Sequence, residues 1–236
     1  MVLLLLLLIF FAPVNAALHQ DVVYGRAGGS DLKLDLVQPE GAGPFPAVIC
    51  IHGGAWMSGS KAGYGPVMQM LATSGYAAAA IEYRFAPAHK FPAQIDDVRQ
   101  AVRYLRAHAA ELKIDATRLV VMGDSAGGHL ALLTGLREHE KGIRGVINIC
   151  GPSDVTRWQA APEGEKAIGM TTDRLLETVF GTSDRKSAVL KNASPLYFVA
   201  RDSPAVLTIH GDADPTVKLE QSEWLHEALR KAGALS

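Results

Sequence analysis

The sequence predicts a doubly wound α/β domain, a mostly parallel sheet with helices on both faces. Five short and nearly continuous apolar runs carry the sheet: PAVICIHGG, AAAAIEYRF, RLVVMGDS, GVINICG and AVLTIHGD. Strands buried on both faces of a parallel sheet have that composition. Helical segments separate the runs, and strand-helix alternation gives this architecture. The unusual residues sit just after the runs, at the carboxyl ends of strands, where such sheets form their ligand sites.

The bulk properties agree. The chain has 236 residues, 23 basic against 24 acidic side chains and 48% hydrophobic residues, which suits one globular domain with a sizeable core. No basic patch or charge block points to nucleic acid. Residues 1–16, MVLLLLLLIFFAPVNA, form an apolar run, a proline and then Val14-Asn15-Ala16. That is the pattern of a secretory signal, although no Lys or Arg precedes the run. The run is shorter than the ~20 residues that span a bilayer. The expectation is a cleaved signal and a domain over 17–236, secreted or periplasmic, with no stable membrane partner after cleavage. An uncleaved anchor is the alternative.

Along the chain, DVVYGRAGG and LKLDLVQPEG alternate apolar and polar residues and read as an antiparallel pair half open to water. In QIDDVRQAVRYLRAHA, Ile95, Val98, Val102 and Leu105 recur at spacings of three and four and form one apolar stripe. Trp224, Leu225, Ala228 and Leu229 do the same before Gly233, a helix stop. The stretch between Pro152 and Pro195 is rich in Thr, Ser, Lys, Asp and Glu, with one convincing helix, TDRLLETVFG. Residues 152–195 are expected to form a cap or lid over the site.

The chemistry gathers around Gly123-Asp124-Ser125-Ala126-Gly127, a G-x-S-x-G frame between the strand RLVV and the helix LALLTGL. Both glycines lack the Cβ atoms that would collide in so sharp a turn, which lifts the Ser125 hydroxyl off the sheet edge. After the third strand comes His52-Gly53-Gly54-Ala55-Trp56, whose successive N–H groups can face an anion. With the N–H of Ala126 they would make an oxyanion hole, drawn from two of Gly53, Gly54 and Ala55. The last strand ends in HGDADPTV. Asp214, which begins the Asp-Pro-Thr-Val segment, is the preferred acid to orient a histidine, with Asp212 in reserve.

The strings HGGAW, YRFAPAHKFPAQIDDVRQAVRYL, MGDSAGGHLA and HGDADPTV, in this order and spacing, resemble an α/β-hydrolase. More narrowly, they are similar to the bacterial carboxylesterases near the hormone-sensitive-lipase-like group, including feruloyl and acetyl-xylan esterases. The resemblance covers essentially everything after residue 20. It implies the α/β-hydrolase fold with an eight-stranded sheet, a Ser–His–Asp triad and no cofactor or metal. Ser125 would be the nucleophile, Asp214 the acid, and Gly54, Ala55 and Ala126 the oxyanion hole. The implied substrate is a small-molecule or polysaccharide-linked ester. By the same sheet order, the Ser125 strand lies between those of Cys50 and Cys150. Their Cα atoms would then be ~9–10 Å apart, too far for a disulfide, and both are expected as free thiols.

One element of the pattern is missing. The family's histidine follows one further strand after the acid, and the sequence stops at KAGALS. His129, one helical turn after Ser125, takes the place of a packing residue, and His52 and His210 begin strand-end loops. The expectation is a C-terminally incomplete chain of an active esterase, its last strand and histidine beyond Ser236. Two other readings are a prolyl-oligopeptidase-like peptidase, which shares the nucleophile and acid motifs, and a non-catalytic relative that has lost its base.

Overall fold

A computed structural model describes residues 16–138, 140 and 142–236. The signal expected over residues 1–16 lies outside this range except for Ala16. The strands are β1 (Ala17–Ala27), β2 (Ser30–Gln38), β3 (Phe45–Ile51), β4 (Ala77–Ile81), β5 (Ile114–Asp124), β6 (Ile143–Ile149) and β7 (Ala205–Ile209). The helices are α1 (Gly65–Thr73), α2 (Ala93–Ala107), α3 (Ala126–Leu136), α4 (Pro162–Ile168), α5 (Thr172–Phe180), α6 (Ala188–Asn192) and α7 (Glu220–Ala232). No helix among the described residues is long and apolar enough to cross a membrane.

The seven described strands form one sheet in the order β1-β2-β4-β3-β5-β6-β7. β1 and β2 pair antiparallel, as their alternating pattern predicts, and β2 pairs antiparallel with β4. From β4 to β7 every pair is parallel. The period of two in a strand sends alternate residues to opposite faces. Ile49, Ile51, Ala79 and Ile81 accordingly join the core that holds α2 and α3. Val48, Cys50, Ala78 and Ala80 pack instead against Tyr64, Met68 and Ala72 at and within α1. α3 is buried along its whole length, which explains a sequence apolar on every side rather than along one stripe.

Cys50 aligns with Met122 on β5, and Met122 aligns in turn with Ile147 on β6. The Ser125 strand therefore separates the two cysteines, and both are free thiols. Burial pushes the Cys50 thiol up to about 12.

Several elements were silent in the sequence. β5 starts at Ile114, well before the apolar run, and α3 begins directly after Ser125 rather than at Leu130. α1 has no clear stripe. Between β6 and β7 there are three α-helices, not one: besides α5, the short α4 opens with Pro162, and α6 is capped by the Ser187 hydroxyl. Helices of five to seven residues are set by their ends and neighbours more than by periodicity.

One ion pair ties the loop after β4 to α2. Arg84 grips Asp97 with Nε at 2.9 Å and Nη2 at 2.7 Å, and the Arg84 backbone N–H donates to the same carboxylate at 2.9 Å. Asp97 is buried and Arg84 mostly so. Removing one partner of such a pair strands the other charge, at about 3–5 kcal/mol. Asp97→Ala should therefore lower the unfolding free energy by that much, read by circular dichroism as a lower urea midpoint at unchanged slope.

Candidate active site

The carboxyl ends of the central strands stand in register. Ile51 of β3 aligns with Gly123, Asp124 with Ile149, and Ile149 with Ile209. The loops that follow therefore leave the sheet at one edge and bring His52–Trp56, Ser125, Cys150 and His210–Asp214 to the same end.

Ser125 sits on the turn from β5 into α3 with φ 51° and ψ −117°. A serine at positive φ is strained by about 1–3 kcal/mol, so its surroundings must hold it there. Its N–H donates to Ile149 O at 2.8 Å, and its carbonyl accepts from His129 N at 3.0 Å. The two flanking glycines are needed for space. A Cβ on Gly123 would overlap the Gly127 carbonyl, and a Cβ on Gly127 would overlap the carbonyl oxygen of Ile51 on β3.

Across from the serine, the loop after β3 runs through three consecutive residues at positive φ: Gly54 (110°), Ala55 (52°) and Trp56 (59°). The Gly54 carbonyl accepts from Met57 N and Ser58 N, at 3.0 and 3.1 Å, closing a tight turn. The Gly53 N–H is already engaged, donating to Asp124 Oδ1 at 3.1 Å. Gly54 and Ala55 instead line, together with Ser125, a cavity of about 310 Å3. Trp56, Trp158, Ile168 and Val217 give it an apolar wall, and among the described residues no charged side chain lines it. Ala126, the first residue of α3, follows the serine and is buried; it is not among the residues lining the cavity.

Asp214 lies in the loop leaving β7. Its Oδ1 accepts from Thr216 N and Val217 N at 2.8 and 3.0 Å, and both of those residues line the Ser125 cavity. Half-burial raises the Cys150 thiol, a hydrogen bond with the Ser125 backbone opposes this, and the carboxylates of Asp214 and Asp124 raise it further. Asp212 is exposed and is not among the residues lining this cavity.

None of the described histidines lines the cavity. Those closest in sequence to the motifs are committed elsewhere. His52 Nδ1–H donates to Gly53 O at 2.8 Å, and its ring stacks on Tyr83. His210 Nε2–H donates to Val217 O at 2.6 Å and stands 3.7 Å from Asp214 Oδ2, while Nδ1 lies 2.6 Å from Ser222 Oγ. His129 is fully buried; it accepts from Trp56 Nε1 at 3.2 Å and donates from Nε2 to Ala193 O at 2.6 Å. It therefore links the loop after β3, the serine helix and the segment between β6 and β7.

Part of this site was hidden from the sequence. Of the stretch 152–195, Pro152, Trp158, Ala167 and Ile168 line the cavity. The composition of the stretch pointed to a cap over the site but did not say which of its residues reach it. The engagement of Gly53 by Asp124 carried no signal, because the G-x-S-x-G frame leaves the residue before the serine unspecified.

This sheet, with its serine turn between the fifth strand and a buried helix, defines an α/β-hydrolase. Residues 34–229 match the BD-FAE family, and the chain belongs to that family. It is 34% identical over 203 residues to esterase LipC of Mycobacterium tuberculosis, covering 79% of this chain and 49% of the relative. With LipM of the same organism, a probable carboxylic ester hydrolase, it shares 30% identity over 88% of this chain and 50% of the relative. The chain thus spans about half the length of these curated relatives. Among solved structures, a truncated carbohydrate esterase from gut microbiota superposes with TM-score 0.79 at 28% identity, covering 95% of this chain and 87% of that one. The propionate-bound Est2 esterase of the planctomycete Thermogutta terrifontis gives 0.75 at 29% identity, over 92% and 80%.

Burial holds the His129 imidazole down at about 4, against 6.5 in the open chain; the Ala193 carbonyl opposes this and Arg137 adds to it. Between those values the unfolded chain binds a proton that the folded chain refuses. Stability from the neutral imidazole is thus complete above about pH 6.5 and is lost as pH falls towards 4. His129→Gln keeps an acceptor and a donor but does not titrate. Thermal unfolding should show wild type ahead of His129→Gln at pH 7.5, with the gap closing or reversing by pH 4.5.

Proposed function

We propose that this protein is a serine hydrolase of carboxylic esters, working through an acyl-enzyme on Ser125. One observation carries the reading: Ser125, strained at the end of β5, shares an uncharged cavity with the glycine loop after β3. Ser125 Oγ attacks the ester carbonyl, and the oxyanion that forms is met by the N–H groups of Gly54, Ala55 and Ala126. Gly53 is not a donor, since its N–H is spent on Asp124. A histidine takes the serine proton and returns it to the leaving alcohol, after which water cleaves the acyl-enzyme. Asp214 orients that histidine, which the resemblance places after Asp214 in the chain.

The uncharged wall suits a neutral acyl group. Acetyl or feruloyl groups on plant polysaccharide are the proposed substrates. The BD-FAE family match, the carbohydrate esterase among the solved neighbours and the expected export of the chain support this. Segment 152–195 serves as the cap over the cavity, to which it contributes Trp158 and Ile168. The esterase names of the relatives favour this chemistry over peptide hydrolysis.

Incubating the full-length protein with a fluorophosphonate should place the adduct on Ser125. Ser125→Ala should lose both the adduct and at least about 10³-fold of the turnover of p-nitrophenyl acetate. An adduct on another serine, with Ser125→Ala fully active, would contradict the assignment. A protein that neither labels nor hydrolyses would be the non-catalytic relative.

A further inference from the structure

We propose that Asp124 is a positioning residue for the oxyanion loop. Its carboxylate fixes the Gly53 peptide, so that the next two N–H groups, of Gly54 and Ala55, face the cavity above Ser125. The inference rests on the acyl-transfer reading and adds to it the residue directly before the serine, which the G-x-S-x-G frame leaves unspecified.

The Asp124 carboxylate faces the loop rather than solvent. Oδ1 accepts two hydrogen bonds, from Gly53 N at 3.1 Å and from the Tyr64 hydroxyl at 2.9 Å. Oδ2 lies so close over Gly53 that a Cβ there would overlap it. Bonds to an ionised acceptor are roughly twice as strong as neutral ones. Tyr64, buried just ahead of α1, gives the carboxylate a fixed second anchor.

The loop needs such a hold. Directly after Gly53, the backbone takes three residues at positive φ, and two of them, Ala55 and Trp56, carry side chains. Each such residue is held away from its relaxed conformation. Without an external restraint the strain relaxes by rotating the peptides that have to point at the oxyanion. Two bonds bracket the strained run. Asp124 holds its start at Gly53, and His129 holds its end through the Trp56 indole. Both anchors sit on the serine turn and its helix, so the nucleophile and the oxyanion donors are placed by one piece of backbone.

Steady-state kinetics of the full-length protein on p-nitrophenyl acetate test this. Asp124→Ala should lower kcat by about 10- to 100-fold, somewhat less than deleting an oxyanion donor outright. KM should stay within about twofold, because the ground-state ester does not use the loop. Asp124→Asn keeps the Oδ1 acceptor and should recover most of the rate. Tyr64→Phe, which removes one anchor, should cost a few-fold in kcat at unchanged KM. Wild-type kcat in Asp124→Ala, or an Asn variant as slow as the Ala variant, would overturn the proposal. If Asp124→Ala does not fold, Tyr64→Phe decides, and an unchanged kcat there overturns it. If wild type neither hydrolyses nor labels at Ser125, the hydrolase reading fails by itself. The positioning role is then read from hydrogen exchange of residues 52–57. Faster exchange in Asp124→Ala but not in Asp124→Asn supports it, and equal exchange in all three proteins overturns it.

Discussion

The site depends on one backbone contact, the approach of the serine turn to the end of β3. Gly127, in the first turn of α3, lies against the carbonyl oxygen of Ile51 so closely that no Cβ fits between them. That contact sets the distance between Ser125 and the loop beginning at His52. Gly123 makes the same demand from the other side, packing against the Gly127 carbonyl. Two glycines, neither at positive φ, are thus required by crowding rather than by backbone conformation.

From this contact the remaining features follow in turn. With α3 so close to the sheet, its whole circumference is buried, and His129 must be neutral and fully hydrogen-bonded to be tolerated there. Its partners are the Trp56 indole and the Ala193 carbonyl, so the imidazole joins three segments far apart in sequence. The helices between β6 and β7 then add Trp158 and Ile168 to the wall that the loop after β3 begins.

The parallel strands were legible because burial on both faces leaves continuous apolar runs, as in AAAAI of β4, which is buried throughout. The order of β3, β5 and β6 followed only from the resemblance, and it kept Cys50 from Cys150. Ser125, Gly54, Ala55 and Asp214 were visible as motifs at strand ends, and all four lie at or beside one cavity. What stayed hidden was tertiary. α4 and α6 are too short to show a period. Pro152, Trp158 and Thr216 reach the cavity through loop paths that no local pattern specifies. Asp124 looked like a spacer because the meaning of its carboxylate depends on Gly53, 71 positions earlier.

The thermal midpoint of Gly127→Ala, read against Gly145→Ala, tests the central contact most directly. By helix propensity alone, alanine in α3 should stabilise the protein by up to about 1 kcal/mol. The contact with Ile51 predicts the opposite sign, a loss of about 1–3 kcal/mol or more and a midpoint lower by roughly 5 °C. At Gly145 on β6 an added Cβ meets nothing nearer than 3.5 Å, and the midpoint should hardly move. A Gly127→Ala protein as stable as wild type, or more so, would contradict the account.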